Sequence, residues 1–260
     1  MSVLDQPRSL PRLGGFSPTL LGLELRRMLR NKRTVVFTLI MPALFLLAFG
    51  SDAKYRTMRV GEANYTAVIL VNFAIYGAML ATTSGGAMVA IERAAGWSRQ
   101  LRLTPLRPAA YVAVKVVIAM TLGAVSVVVA AIVGILIGAE LPVTTLVVCC
   151  LLAWVCTSVF AAFGLFMGYL LPSENVMQIL GPVLALLSFA GGLFIPLSLM
   201  GDVFGTIAKF TPVYGVGVIA RYPLDHSGGS LPIAIVNVLA WTAVFTTGAI
   251  WRFRRDTARV

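Results

Sequence analysis

Six stretches of this chain are apolar for most of a membrane crossing: 34–50, 65–91, 111–138, 143–171, 176–199 and 231–253. A spanning helix needs ~20 such residues, because a residue rises ~1.5 Å along a helix and the hydrocarbon layer is ~30 Å thick. The pattern therefore predicts an all-α membrane protein with six transmembrane helices, the first short at 17 residues and the fourth long at 29. Three other stretches carry a pattern of their own. Between Thr19 and Arg33, Leu21, Leu25, Met28 and Leu29 recur at helical spacing among Glu24, Arg26, Arg27, Arg30 and Lys32. That spacing predicts an N-terminal amphipathic interfacial helix in the headgroup layer. The connection 91–115 mixes Ala94, Ala95, Trp97, Leu101 and Leu103 with Arg93, Arg99, Arg102 and Arg107 before Thr104-Pro105 breaks any helix. It reads equally as a helix gripped by another protein or as one resting on the leaflet. The connection 199–230 holds two apolar pieces separated by Thr211-Pro212, each too short to span. It predicts re-entrant helical pieces between spans five and six, with a folded external cap as the competing reading.

Composition agrees with the pattern. The chain is 58% hydrophobic and 12% charged, against about 25% charged in soluble domains, and its mean hydropathy is +0.90. Thirty-one charged residues cannot cover the surface of a soluble fold this apolar, which excludes a water-soluble enzyme. The net charge of +11 is a matter of position. Sixteen of the 21 Lys and Arg fall before the first apolar run, between the second and third, or after the sixth, counting Lys115 and Arg252 at the edges of the third and sixth runs. By the positive-inside bias, this predicts cytoplasmic N- and C-termini. The expected domains are a cytoplasmic lead with the interfacial helix (1–33), a six-span region (34–253) and a basic tail (254–260). The prolines, arginines and aspartate at the start do not form a cleavable signal peptide. Cys149, Cys150 and Cys156 lie inside the fourth run and read as apolar fillers. His226, the one histidine, reads as a solvated loop residue.

The chemistry that is missing narrows the function further. The sequence has no GxxxxGK[ST] phosphate loop, HExxH, GxSxG or clustered carboxylates. The runs carry almost no ionisable group away from their edges, where Glu92, Lys115, Glu140 and Glu174 fall. Ion-coupled carriers place titrating or coordinating groups at mid-membrane. Uphill transport by this chain would need energy from a partner.

The stretch Glu92-Arg93-Ala-Ala-Gly96-Trp-Ser-Arg-Gln-Leu101-Arg-Leu-Thr104-Pro105-Leu106 resembles the cytoplasmic signature of the membrane (permease) component of type-2 ABC exporters, of the drug-resistance or polysaccharide/lipid export kind. Trp97 and Ser98 depart from the family's usual Thr-Leu-Glu. Gly164-Leu-Phe-Met-Gly168 with Leu171-Pro172-Ser-Glu174-Asn175, and Gly191-Gly192-Leu-Phe-Ile-Pro196, resemble that family's later turns. The resemblance implies a coupling helix near 92–106, seated in a cleft of a separate ATPase, with Glu92, Arg93, Gly96, Trp97, Leu101, Arg102, Thr104 and Pro105 as its residues. Leu21, Leu25, Arg26, Arg27, Met28 and Arg30 of the interfacial helix would touch the same subunit. It further implies two ATPase copies, a second permease as homodimer or heterodimer, membrane lipid around the spans and no nucleic acid. ATP and Mg would sit on the partner, and no cofactor on this chain. The expected function is an ATP-driven export permease for an amphipathic drug or lipid-like substrate in a bacterial inner membrane. The alternatives are polysaccharide or lipid-linked glycan export and a non-transporting assembly factor. Phe37, Phe45, Phe73, Tyr76, Phe163 and Phe189 are the candidate substrate path, although such aromatics also pack helices together.

Overall fold

The computed structural model describes residues 18–96, 108–173 and 176–258. Among these the chain is helical apart from one two-stranded hairpin. It runs α1 (Pro18–Arg30), α2 (Lys32–Val35), a π-helical turn (Val36–Ile40), α3 (Met41–Gly50), α4 (Ala53–Thr57), β1 (Arg59–Val60) and β2 (Ala63–Asn64). Then follow α5 (Tyr65–Ala94), α6 (Pro108–Leu136), α7 (Val143–Cys156), α8 (Ser158–Leu170) and α9 (Val176–Ala190). After a 3-10 turn (Leu197–Leu199) come α10 (Asp202–Ala208), α11 (Pro212–Arg221) and α12 (Leu231–Ala258). The strands pair antiparallel, Arg59 opposite Asn64 and Val60 opposite Ala63.

The bundle is organised around α5, which is buried along most of its length and packs against α3, α6 and α8. Small residues allow that approach. A side chain at Gly164 would meet the Thr83 carbonyl oxygen at 2.2 Å, and one at Gly86 the Ala161 carbonyl oxygen at 2.6 Å. Without a hydrophobic drive between helices in lipid, such backbone contact and interhelical hydrogen bonds supply the attraction. Thr82 Oγ1 donates to the carbonyl of Thr157, 3.2 Å away, at the break between α7 and α8. Trp154 Nε1 donates to Met120 O on α6 at 2.7 Å. Ser126 Oγ on α6 likewise donates to the Thr38 carbonyl of the π-helical turn. The irregular backbone at both breaks is therefore satisfied by neighbouring side chains, as an apolar surrounding requires.

Four helical stretches are long and apolar enough to cross a membrane: Tyr65–Ala94, Ala110–Leu136, Val143–Leu170 and Leu231–Arg255. They match the second, third, fourth and sixth expected spans. The other two expected spans are shorter apolar helices, Val36–Gly50 and Gln178–Ala190. The latter contains Pro182 and ends at Gly191-Gly192, where Gly192 turns with φ +77°. In the 199–230 connection, α10 and α11 lie at 94° to each other. Thr211 caps α11 and Pro212 opens it, which fixes the bend in the sequence. The carbonyls left free there, Lys209 O and Phe210 O, accept from Asn237 Nδ2 and Trp241 Nε1 of α12 at 2.8 and 3.0 Å. Residues Pro212 to Ala220 of α11 are buried, whereas α10 is mostly exposed.

Candidate functional site: the charged end of the bundle

Helix α5 ends in a glycine-terminated turn. Ala95 N–H donates to Ile91 O, Gly96 N–H to Arg93 O, and Gly96 has φ +72°, the left-handed conformation that closes a helix cheaply only with glycine. The last helical turn places two charges in different surroundings. Arg93 Nη1 donates to the carbonyls of Gly168 and Tyr169, at 3.2 and 3.0 Å, and its guanidinium lies 5.6 Å from the Tyr169 ring centre. It thereby covers the carbonyl end of α8, where a cation is favoured by the helix dipole. Tyr169 in turn meets Phe253 of α12, with ring centres 5.7 Å apart.

Glu92 points the other way, into the bundle, and is 2% exposed. Its Oε1 accepts from Lys115 Nζ of α6 at 2.5 Å and from Arg27 Nη1 of α1 at 3.3 Å, and its Oε2 accepts from the Tyr111 hydroxyl. Lys115, 3% exposed, also donates to Glu24 Oε2 of α1 at 2.6 Å. Two acids and two bases from three helices thus neutralise one another. Each ion would cost several kcal/mol to bury alone, so their close pairing is the condition for finding them there. Beside them, α1 buries Met28 against Ala81, Val114, Ile118 and Leu122, with Leu21 packed alongside. A cavity of about 20 Å³, room for one water molecule, lies between Met28, Gly85, Met88 and Ile118 and the charged groups.

Of the coupling residues named from the sequence, Glu92, Arg93 and Gly96 form the root just described. Trp97, Leu101, Arg102, Thr104 and Pro105 lie outside the described residues. On α1, Met28 faces the spans and Leu21 and Leu25 are half-buried, while Arg26, Arg27 and Arg30 are exposed. Sequence reasoning did not select Glu24, Tyr111 and Lys115. Lys115 is the one charge in the 29 residues of α6, and a lone ionisable group in an apolar run is a signal of buried pairing. Nothing in the sequence identified which acids would meet it.

Toward the opposite end of the bundle, four of the path candidates meet through a residue not selected for it. Phe194, in the turn after α9, has its ring 4.9 Å from Tyr76, 4.9 Å from Phe189, 5.7 Å from Phe73 and 6.5 Å from Phe45, centre to centre. Phe163 is elsewhere, 5.0 Å from Phe245 of α12. Phe37 is exposed on the π-helical turn, outside the cluster.

The sequence profile of the family described as "ABC-2 type transporter" matches residues 19–223. A protein of Bacillus subtilis (strain 168), described as "Putative transport permease YvfS", is 27% identical over 226 residues, covering 85% of this chain and 90% of that protein.

Proposed function

This chain belongs to the ABC-2 type transporter family, and from that premise we propose that it is the permease subunit of an ATP-driven exporter, powered by a separate ATPase. Membership makes it a multi-pass membrane component of a transporter, and implies in general an ABC ATPase as partner. The observation that carries the finer reading is the charged root of the 97–107 segment. There the partner-facing elements expected from the sequence, α1 and the end of α5, are joined to α6 through the buried Glu92 and Lys115. A push on the end of α5 passes through these contacts into α6 and α1, which suits that end to couple the spans to a nucleotide-driven partner. Coupling then works because the two membrane arrangements differ in affinity for the open and closed ATPase pair.

In this reading the chain crosses the membrane six times, with Val36–Gly50 and Gln178–Ala190 completing the count, and both termini are cytoplasmic. The working unit is two permeases and two ATPases in a bacterial inner membrane. The aromatic cluster of Phe45, Phe73, Tyr76, Phe189 and Phe194 lies on the path of an amphipathic drug or lipid-like substrate. Rings and aliphatic groups with one hydroxyl suit such molecules better than sugars or ions.

The test is co-purification. The affinity-tagged chain, co-expressed with an ABC ATPase sought in its own coding neighbourhood, should retain that subunit and support ATP hydrolysis. Gly96→Asp adds a side chain at φ +72° and a charge in the coupling segment. It should lower the retained ATPase about tenfold or more, as loss of an interface anchor does, with membrane insertion unchanged. Finding no ATPase that binds the wild-type chain would overturn the proposal.

A further inference from the structure

We infer that Lys115 is a positioning residue that ties the N-terminal helix α1 to the root of the coupling segment, so that the two move as one body. The inference deepens the permease reading and rests on it for its functional meaning. Lys115 Nζ contacts one carboxylate from each element, Glu24 Oε2 at 2.6 Å and Glu92 Oε1 at 2.5 Å. The two acids therefore lie within about 5 Å of each other, where only a shared cation makes their proximity favourable.

Other contacts also run between α1 and the spans. Met28 and Leu21 supply the apolar contact. Arg27, half exposed, bridges Glu24 and Glu92 at 3.5 and 3.3 Å, and exposed ion pairs of this kind contribute little by themselves. The buried amine is the strong member of the set. Lys115 is also the group that belongs to neither moving element, because it stands on α6, one helical turn after Tyr111, which holds the second oxygen of Glu92. Glu92 is thus fixed at both oxygens from α6, and α1 is fixed to the same point. A displacement of the end of α5 moves Glu92, and through Lys115 it carries α1 with it.

The full chain in lipid nanodiscs, with Cys149→Ala, Cys150→Ala and Cys156→Ala, would carry spin labels at Leu23→Cys and Ala95→Cys, both exposed positions. Electron–electron resonance should give one narrow distance distribution. Lys115→Met should broaden it about twofold or more, as expected when a docked helix becomes locally mobile. Glu24→Gln, which keeps Glu92 paired, should broaden it less. The exchange Glu24→Lys with Lys115→Glu restores an amine between two carboxylates and should narrow the distribution again, the signature of direct coupling between the two sites. A distribution left narrow by both Lys115→Met and Glu24→Gln overturns the inference, and so does a charge exchange that fails to restore it. If Lys115→Met does not fold, Glu24→Gln and the exchange decide by themselves. No ATPase takes part in the measurement, so its failure leaves the permease reading standing, and failure to find an ATPase leaves the measured tie standing.

Discussion

At the end of the bundle that carries α1, the buried Lys115 and Glu92 and the partly buried Glu24 are brought together from three helices. At the opposite end the equivalent position, the first turn of α5, is held by a neutral side chain. Asn64, fully buried, accepts from Ala67 N–H and Glu140 N–H at 3.1 Å each and donates to Gly138 O at 2.8 Å. Its own backbone N–H donates to Glu140 O at 3.0 Å. The ion pair there, Arg59 with Glu140 at 2.9 Å, lies in solvent with both side chains more than half exposed. One amide closes the junction between β2, α5 and the end of α6 without burying charge. The difference has a physical meaning. Neutral hydrogen bonds fix a loop in one geometry at modest cost, whereas a buried ion set is all or nothing, because removing one member strands the others. The buried charges are found where α1 meets α5 and α6.

That contrast can be broken by measurement, using thermal unfolding in detergent micelles. Lys115→Met should be the most damaging change, by ~3–5 kcal/mol, since it leaves Glu24 and the buried Glu92 with only the half-exposed Arg27 between them. Asn64→Ala should cost less, ~2–3 kcal/mol, the expense of buried donors and acceptors left without partners. If Asn64→Ala proves as costly as Lys115→Met, the proposed distinction between the ends disappears. Gly164→Ala, which acts between the ends, should cost ~1–3 kcal/mol by forcing α8 away from the Thr83 carbonyl. A loss confined to one end would show that α5 and α8 do not act as a single rigid core. Thr82→Val should cost ~1 kcal/mol, the value of one interhelical hydrogen bond in a membrane protein. The smallest effect belongs to Arg59→Ala, below ~1 kcal/mol and weaker still at high salt, because exposed ion pairs are screened. A large loss there would mean that charge also holds the opposite end.

Much of the architecture was legible from periodicity. The helices at 65–94, 110–136, 143–170 and 231–255 coincide with four of the expected spans, and Thr211-Pro212 marks the bend between two short helices. The amphipathic pattern of 19–33 ends up as α1, with Met28 turned inward and its arginines outward. The breaks in 34–50 were not legible. A π-helical turn depends on Ser126, 88 residues away, accepting the task of bonding the Thr38 carbonyl. Likewise, Pro182 and the Gly191-Gly192 pair were visible in 176–199, but how far the helix runs was decided by packing.

For the candidate site the division is sharper. The sequence by itself determined that the chain lives in a membrane, where its basic residues concentrate, and that Glu92, Arg93 and Gly96 stand at the root of a distinctive segment, because hydropathy and charge are local properties of each stretch. Only the tertiary structure decided that Glu24, Arg27, Glu92, Tyr111 and Lys115 form one site, and that Phe194 gathers Phe45, Phe73, Tyr76 and Phe189. Both are meetings of groups far apart in the chain. An ion in an apolar helix announces that it needs a counter-charge, but the partner is chosen by which helices pack together and at what height.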